Sequence, residues 1–425
     1  RTPTSVPSRY PSSLPSAEPS GEPSALPSAE PSALPSSEPS GSPSALPSGG
    51  PSGQPSSLPS GEPSAVPSGY EVSTFEELEN AFANINAGSI NTTIELQNDI
   101  NFLNQIEISA LVVRIDSSGD NKFTLSGGHS TRLFSILNGA VVSFENISFQ
   151  DGRNEGSGGC IYIDNGSNVN MAKVAFDNCI AAGSSEVSGG GIAMGSSRLI
   201  LSSVTFKNCD AGNGNYNHNF RGGAISASGS DLMIYDSLFE NNYAGTPSGS
   251  YNNGGSMGGA IYMSTGAITV VGSTFKSNRC GKGTHGHNSG GAMWISHATV
   301  SILSSSFLSN LVVNTAQYNK LSVGGALYFT NSIINISFVD FSGNQATQDG
   351  NDIYLTEGSS ILCNPTLPCS ADAYPNGTCS SLANPVDCSG CSSECTTYCL
   401  TKSSYCSQQS GQPSSLPSSE PSGSP

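Results

Sequence analysis

Gly258-Gly259-Ala260-Ile261, followed 16 residues after its second glycine by Phe275 and then by Asn278, is one of six variants of a single phrase. The others are Gly158-Gly159-Cys160-Ile161 with Phe176-Asp177-Asn178, Gly190-Gly191-Ile192 with Phe206-Lys207-Asn208, Gly222-Gly223-Ala224-Ile225 with Phe239-Glu240-Asn241, Gly290-Gly291-Ala292-Met293 with Phe307 and Asn310, and Gly324-Gly325-Ala326-Leu327 with Phe341 and Asn344. From the second glycine to the phenylalanine the span is 17, 15, 16, 16, 16 and 16 residues, whereas the span from each asparagine to the next glycine pair varies. A fixed segment alternating with an elastic one marks a solenoid coil whose loops leave on one side.

Within each repeat, short apolar runs alternate in period two, as in Ile161-Tyr162-Ile163 and Ala267-Ile268-Thr269-Val270-Val271, and Gly, Ser, Asn and Asp separate them. No run keeps helical spacing for long. Three short strands per turn predict a parallel β-helix, an all-β fold in which each strand pairs with its copy one coil away. At the usual strand spacing the coils would stack to about 45–50 Å.

Aligned repeats give columns. The position after Gly-Gly holds Cys160, Ile192, Ala224, Ala260, Ala292 and Ala326, mostly small, as an inward corner requires. Phe149, Phe176, Phe206, Phe239, Phe275, Phe307 and Phe341 predict an internal aromatic ladder. The next position reads Asp177, Lys207, Glu240, Lys276, an outer ladder of alternating charge and modest worth. The asparagines suit turns, where they bond local backbone and tolerate left-handed geometry.

These Gly-Gly-Ala-Ile and Phe-x-x-Asn signatures resemble the repeats of chlamydial polymorphic outer membrane proteins, and more broadly the right-handed parallel β-helix, or pectin-lyase-like, superfamily. The resemblance implies the fold. It implies little about activity, since such folds host lyases, hydrolases, adhesins and inert structural proteins.

The chain has 425 residues, 35% apolar and 11% charged, with a formal net charge of −17. So acidic a chain is not drawn to nucleic acid or anionic membrane. No apolar run approaches the ~20 residues of a membrane span. The chain begins at Arg1 inside a repeat, which predicts a processed chain or a piece of a longer one. Twelve cysteines, eight between Cys363 and Cys406, predict an oxidising compartment. The sequons at Asn91, Asn146, Asn165, Asn335 and Asn376 agree with secretion.

Residues 1–69 form a low-complexity arm in which proline falls at every fourth position from Pro3 to Pro67. Regular proline removes donors and fixes φ, which excludes helix and central strand and favours polyproline II. Three residues per turn return a four-residue repeat to the same edge after twelve, so Leu34, Leu46 and Leu58 would line one edge. The arm reads either as a solvated spacer or as a tether that packs against neighbouring subunits. Long Pro-Ser-x-x repeats resemble secreted hydroxyproline-rich glycoproteins of diatoms and related algae. That resemblance implies O-glycans on Ser8, Ser12, Ser16, Ser20, Ser24, Ser28 and their repeats.

The β-helix occupies residues 70–362. Thr74-Phe75-Glu76-Glu77 is a capping box, and Phe75, Leu78, Phe82 and Ile85 have helical spacing, predicting an amphipathic helix over the first coil. Ile94–Leu96, Ile106–Ile108, Val112–Ile115 and Phe123–Leu125 read as opening strands. Polar loops carrying Tyr216, His218, Phe220, Tyr243, Tyr251, His285 and His287 would share one face as a sugar- or partner-binding patch, or simply stand solvated. His285-x-His287 lacks a third ligand at metal spacing, and no cofactor is expected.

Cys179 and Cys209 each fall three residues after a column phenylalanine, which leaves a disulfide between them or two buried thiols, while Cys160 reads as inert packing. Residues 363–407, with Cys363, Cys369, Cys379, Cys388, Cys391, Cys395, Cys399 and Cys406, read as a disulfide-stapled unit; secretion argues against zinc at Cys388-x-x-Cys391. Residues 408–425 resume the arm in the same phase.

The reading that follows is an extracellular structural glycoprotein, not an enzyme, partnered by its own copies and by covalent glycans in a fibre, appendage or wall layer. An adhesin using the loop face is the alternative. A polysaccharide lyase or hydrolase needs carboxylates converging on a groove, whereas Asp164, Asp177, Asp210, Asp231, Asp236 and Asp340 fall in different columns.

Overall fold

The computed structural model describes residues 69–362, apart from 90–91, 118, 184–185, 213–218, 246–254, 282–285, 314–321, 349 and 357, together with the strands Ala373–Pro375 and Thr378–Ser380. The described residues form four sheets, and the pairings within them are parallel and in strict coil-to-coil register. The chain is an all-β parallel β-solenoid, as the repeats predict.

One coil shows the plan. Ile261–Val271 runs after the glycine pair as a long strand bent near Thr265 and Gly266, where φ is positive. It belongs to the main sheet, whose two limbs flank that bend. Thr274–Lys276 follows in the Phe sheet. Arg279–Cys280 lies in an exit sheet, and after the loop Asn288–Ser289 lies in a return sheet that leads to the next glycine pair. The exit and return sheets are additions to the three strands expected. They enclose a second small core of Ala181, Val187, Ala211, Phe220 and Ala244.

Both glycines of the pair have a reason. Gly222 sits at φ +61, open to few residues with a side chain. Gly223 passes the exit strand so closely that a Cβ would lie 2.5 Å from the Tyr243 amide nitrogen. That pinch is a neck between the main core and the second core.

The columns are mostly as read. Phe176, Phe206, Phe239, Phe275, Phe307 and Phe341 stack with centroids 4.4, 5.0, 4.6, 4.9 and 5.4 Å apart and planes within 15°. Phe149 joins below at 4.9 Å, tilted by 34°. The small column needs one correction. Ile161 pairs with Ile192, so Gly191, not Ile192, stands beside Cys160 in register.

The asparagines fall into two columns. Asn178, Asn208 and Asn241, two residues after phenylalanine, have positive φ at the turn, as predicted. Asn242, Asn278, Asn310 and Asn344, three residues after phenylalanine, are buried. Each of Asn242, Asn278 and Asn310 donates Nδ2 to the next Oδ1, at 2.9, 3.0 and 2.9 Å, and to a phenylalanine carbonyl one coil back. A polar amide is tolerated at the neck because both of its ends are satisfied by its own copies.

Helix α1, Phe75–Asn86, begins at the predicted capping box on Thr74 and Glu77 and buries Phe75, Leu78, Ala81, Phe82 and Ile85. Phe82 reaches Phe134 at 6.2 Å and Phe75 reaches Phe102 at 5.1 Å, so the apolar face closes the first coils. The strand Tyr70–Val72 precedes the helix and pairs with Thr93–Leu96, one strand earlier than the sequence suggests. At the other end Ala373–Pro375 and Thr378–Ser380 pair with Ile353–Leu355 and Ser360–Leu362, so the parallel stack runs on into the Cys-rich stretch.

Candidate binding face

The predicted loop patch is only partly placed. Tyr216, His218, Tyr251 and His285 lie outside the described residues. His287 is exposed. Phe220, expected on the loop face, is 1% exposed instead, because it alternates inward in the return strand Phe220–Arg221 and fills the second core. Tyr243 heads an exit strand, in register between Asp210 and Arg279. Burial and the Asp210 charge push its hydroxyl above the usual range. Asp210 Oδ1 is itself buried with no hydrogen-bond partner, and burial raises that carboxyl to about 7.

The aromatic groups that do come together were not singled out in the sequence. Tyr262, Trp294, Tyr328 and Tyr354 are in register on the first limb of the main sheet. They alternate with the core residues Ile261, Met293, Leu327 and Ile353, so they face outward. Their rings stack at 4.8, 5.8 and 5.6 Å with planes within 9°. The Arg221 guanidinium sits 5.2 Å from the Tyr262 centroid and covers the end of the stack, while its nitrogens pair with Glu186 at 2.8 and 3.1 Å.

This ladder lies in a re-entrant corner. Val323, on the return strand, is 2% exposed, and Tyr262 is 8% exposed, although both point away from the main core. Trp294 and Tyr328 are half-buried, and Tyr354 at the far end is 9% exposed. Ser264, Ser296 and Thr330 continue the same outward alternation beside the rings. The signal was present in the sequence as an aromatic two positions beyond the small column in four of the six repeats: Tyr162, Tyr262, Trp294 and Tyr328.

The outer charge ladder forms in part. Glu240 bonds Lys207 at 3.0 Å and Lys276 at 2.8 Å, and those two bonds hold its carboxyl below the usual range. Asp177 is taken instead by Asn208 Nδ2 at 2.9 Å.

The cysteines pair differently from the sequence expectation. Cys160 is bonded to Cys179, and Cys209 and Cys280 are buried thiols. Stacked residues such as Cys179 and Cys209 point in parallel, whereas Cys160 and Cys179 face each other across the neck. Cys209 has no cysteine in the position that Cys160 takes one coil earlier, where Gly191 stands in register. The remaining disulfide candidates, Cys363, Cys369, Cys388, Cys391, Cys395, Cys399 and Cys406, lie outside the described residues, and for Cys379 only the strand is described.

Among the sequons, Asn165 is exposed at a turn with φ +57, and Asn146 lies at a turn with φ +55 and bonds the Asn121 carbonyl. Asn335 sits mid-strand in Ile333–Ser337. Asn91, Asn376 and the arm serines lie outside the described residues. No helix among the described residues is long and apolar enough to cross a membrane.

No family model matches the chain, and no solved structure matches it. A stretch of 144 residues, 34% of the chain, is 35% identical to metabotropic glutamate receptor-like protein R of Dictyostelium discoideum. The match covers 7% of that protein's length.

Proposed function

We propose that this chain is a structural glycoprotein subunit of an extracellular fibre, surface appendage or wall layer, in which the solenoid is a stiff bead and the Pro-Ser arms are tethers. The phenylalanine stack from Phe176 to Phe341 carries the reading. It repeats one environment from coil to coil, as a load-bearing element requires and a localised reaction centre does not. Arms of one phase on both sides of the solenoid fit the same role, as does the resemblance of those arms to algal wall glycoproteins and of the repeats to chlamydial surface proteins. The partial match within a far longer Dictyostelium protein agrees with a module that recurs in larger chains. The test is electron microscopy of the native material joined to glycopeptide mass spectrometry of residues 1–69. Filaments with glycosylated arm peptides are expected; isolated particles with bare arms would refute the role.

A further inference from the structure

We infer that Asn165 carries an N-linked glycan and that the groove beside it, on the bend of the main sheet, holds the first N-acetylglucosamine. The inference rests on the reading of the chain as an extracellular glycoprotein and names the place where a glycan meets the solenoid. Among the described sequons, Asn165 is the exposed one. Asn146 is half-buried with its amide bonded to the Asn121 carbonyl at 2.7 Å, and Asn335 is half-buried in register between Ser301 and Leu362. Asn165 Nδ2 reaches Asn138 Oδ1 at 3.5 Å, the outer limit of a hydrogen bond, so little is lost when a sugar takes that nitrogen. The sequon hydroxyl, Ser167 Oγ, is buried and donates to the Asp164 carbonyl at 2.8 Å. The sequon is therefore readable only before this coil closes, and the sugar is in place when the groove forms.

The groove begins one residue beyond Asn165, at Gly166, and crosses two coil steps through Ser196 and Arg198 to Gly229 and Asp231, with a volume of about 320 Å³. Two steps span about 10 Å, room for one sugar ring and its linkage. The near end is open because the bend carries no side chain there: a Cβ on Gly166, at φ +77, would meet nothing within 4 Å. The walls are polar and under-used. Asn168 Oδ1 is buried without a hydrogen-bond partner. Arg198 and Asp231 stand in register on adjacent coils, yet the Arg198 guanidinium turns to the Met233 sulfur at 3.6 Å rather than to the carboxylate. N-acetylglucosamine offers an amide N–H and hydroxyls to the two acceptors and an acetyl carbonyl to the arginine. Attachment at the rim gives the sugar a high effective concentration, so contacts too weak to capture a free sugar are enough to hold this one.

The experiment secretes the full chain from a eukaryotic host, maps its glycopeptides and follows thermal unfolding. Asn165 is expected to be occupied. Trimming with an endoglycosidase that leaves one sugar on the asparagine is expected to keep the melting temperature, whereas Asn165→Gln, which never carries a sugar, is expected to lower it by about 2–4 °C. Arg198→Ala with Asp231→Ala, both exposed and checked for an intact solenoid by circular dichroism, is expected to erase the difference between the glycosylated chain and Asn165→Gln. A secreted chain bare at Asn165 would overturn the inference. So would an occupied Asn165 whose loss leaves the melting temperature unchanged. A difference that persists at full size in the Arg198→Ala, Asp231→Ala background would also overturn it, because the sugar would then rest elsewhere. Each of these failures leaves the structural role standing, since that role is judged by filaments and arm glycopeptides. A stabilising glycan at Asn165 on a chain that forms no filament would support the groove and remove the fibre.

Discussion

Cys160 and Cys179 are joined across the neck of one coil with 5.5 Å between their Cα atoms, where later coils set a small residue against an inward asparagine. The bond and the asparagine ladder are two solutions to one problem, closing the pinch between the two cores. The bridge spans 19 residues of sequence, and a loop of that size is worth about 3 kcal/mol by chain entropy. Peptide mapping under non-reducing conditions should recover Cys160 linked to Cys179, with Cys209 free. A Cys179–Cys209 peptide would show that the neck is built otherwise.

Cys209 and Cys280 should be chemically silent in the folded protein. Burial pushes both thiols up to about 12, and neither reaches solvent. Alkylation at pH 8 is expected to label them only after denaturation. Labelling of either in native protein at the rate of a free thiol would contradict their placement.

The asparagine ladder should be extendable and breakable. Asn278→Ala removes the acceptor of both the Asn242 backbone N–H and its Nδ2 and the side-chain donor to the Phe239 carbonyl, while Asn310 Oδ1 keeps the backbone N–H of residue 278, and should cost about 3–5 kcal/mol. Cys209→Asn should add about 1 kcal/mol, because Cys209 N already donates to Asn242 Oδ1 and an amide at 209 would extend the same column by one coil. Urea titration measures both. A destabilised Cys209→Asn would mean that the neck there has no space for an amide.

Phe239→Ala opens a void in the middle of the ring stack and should cost about 3–5 kcal/mol. The same change at Phe341, the terminal and more exposed ring, should cost less. Equal losses in thermal melts would argue that the ladder does not carry the coil-to-coil stability assigned to it.

Asp210 gives the fold a pH dependence. Its carboxyl binds a proton more tightly when folded, near 7, than at the ordinary 3.8, so ionisation opposes folding. The penalty is absent below pH 4, grows between 4 and 7, and is complete above 7. Asp210→Asn should therefore stabilise by roughly 4 kcal/mol at most at pH 8 and by nothing at pH 3.5. Melting curves for variant and parent that run parallel across that range would rule this out.

Much of this architecture was legible because a solenoid writes each contact as a column. Phenylalanine recurs 15 to 17 residues after each glycine pair, and its stack could be predicted from that alone. Three features escaped for physical reasons. The asparagines at two and at three residues after phenylalanine look alike in sequence, yet one column turns the chain and the other points inward, since alternation changes face at every residue. The Cys160–Cys179 bond joins different columns of one coil, which alignment of like with like cannot reveal. Tyr262 and Trp294 follow the glycine pairs at outward positions, and their stacking depends on the coil-to-coil register, which differs from repeat to repeat in sequence spacing.

The central claim is that stiff solenoids are joined into a continuous assembly by their arms. Negative-stain electron microscopy of the full chain across a dilution series tests it most directly. Filaments that lengthen with concentration and fall apart on dilution are expected. Single particles at every concentration, up to the most concentrated sample, would contradict it.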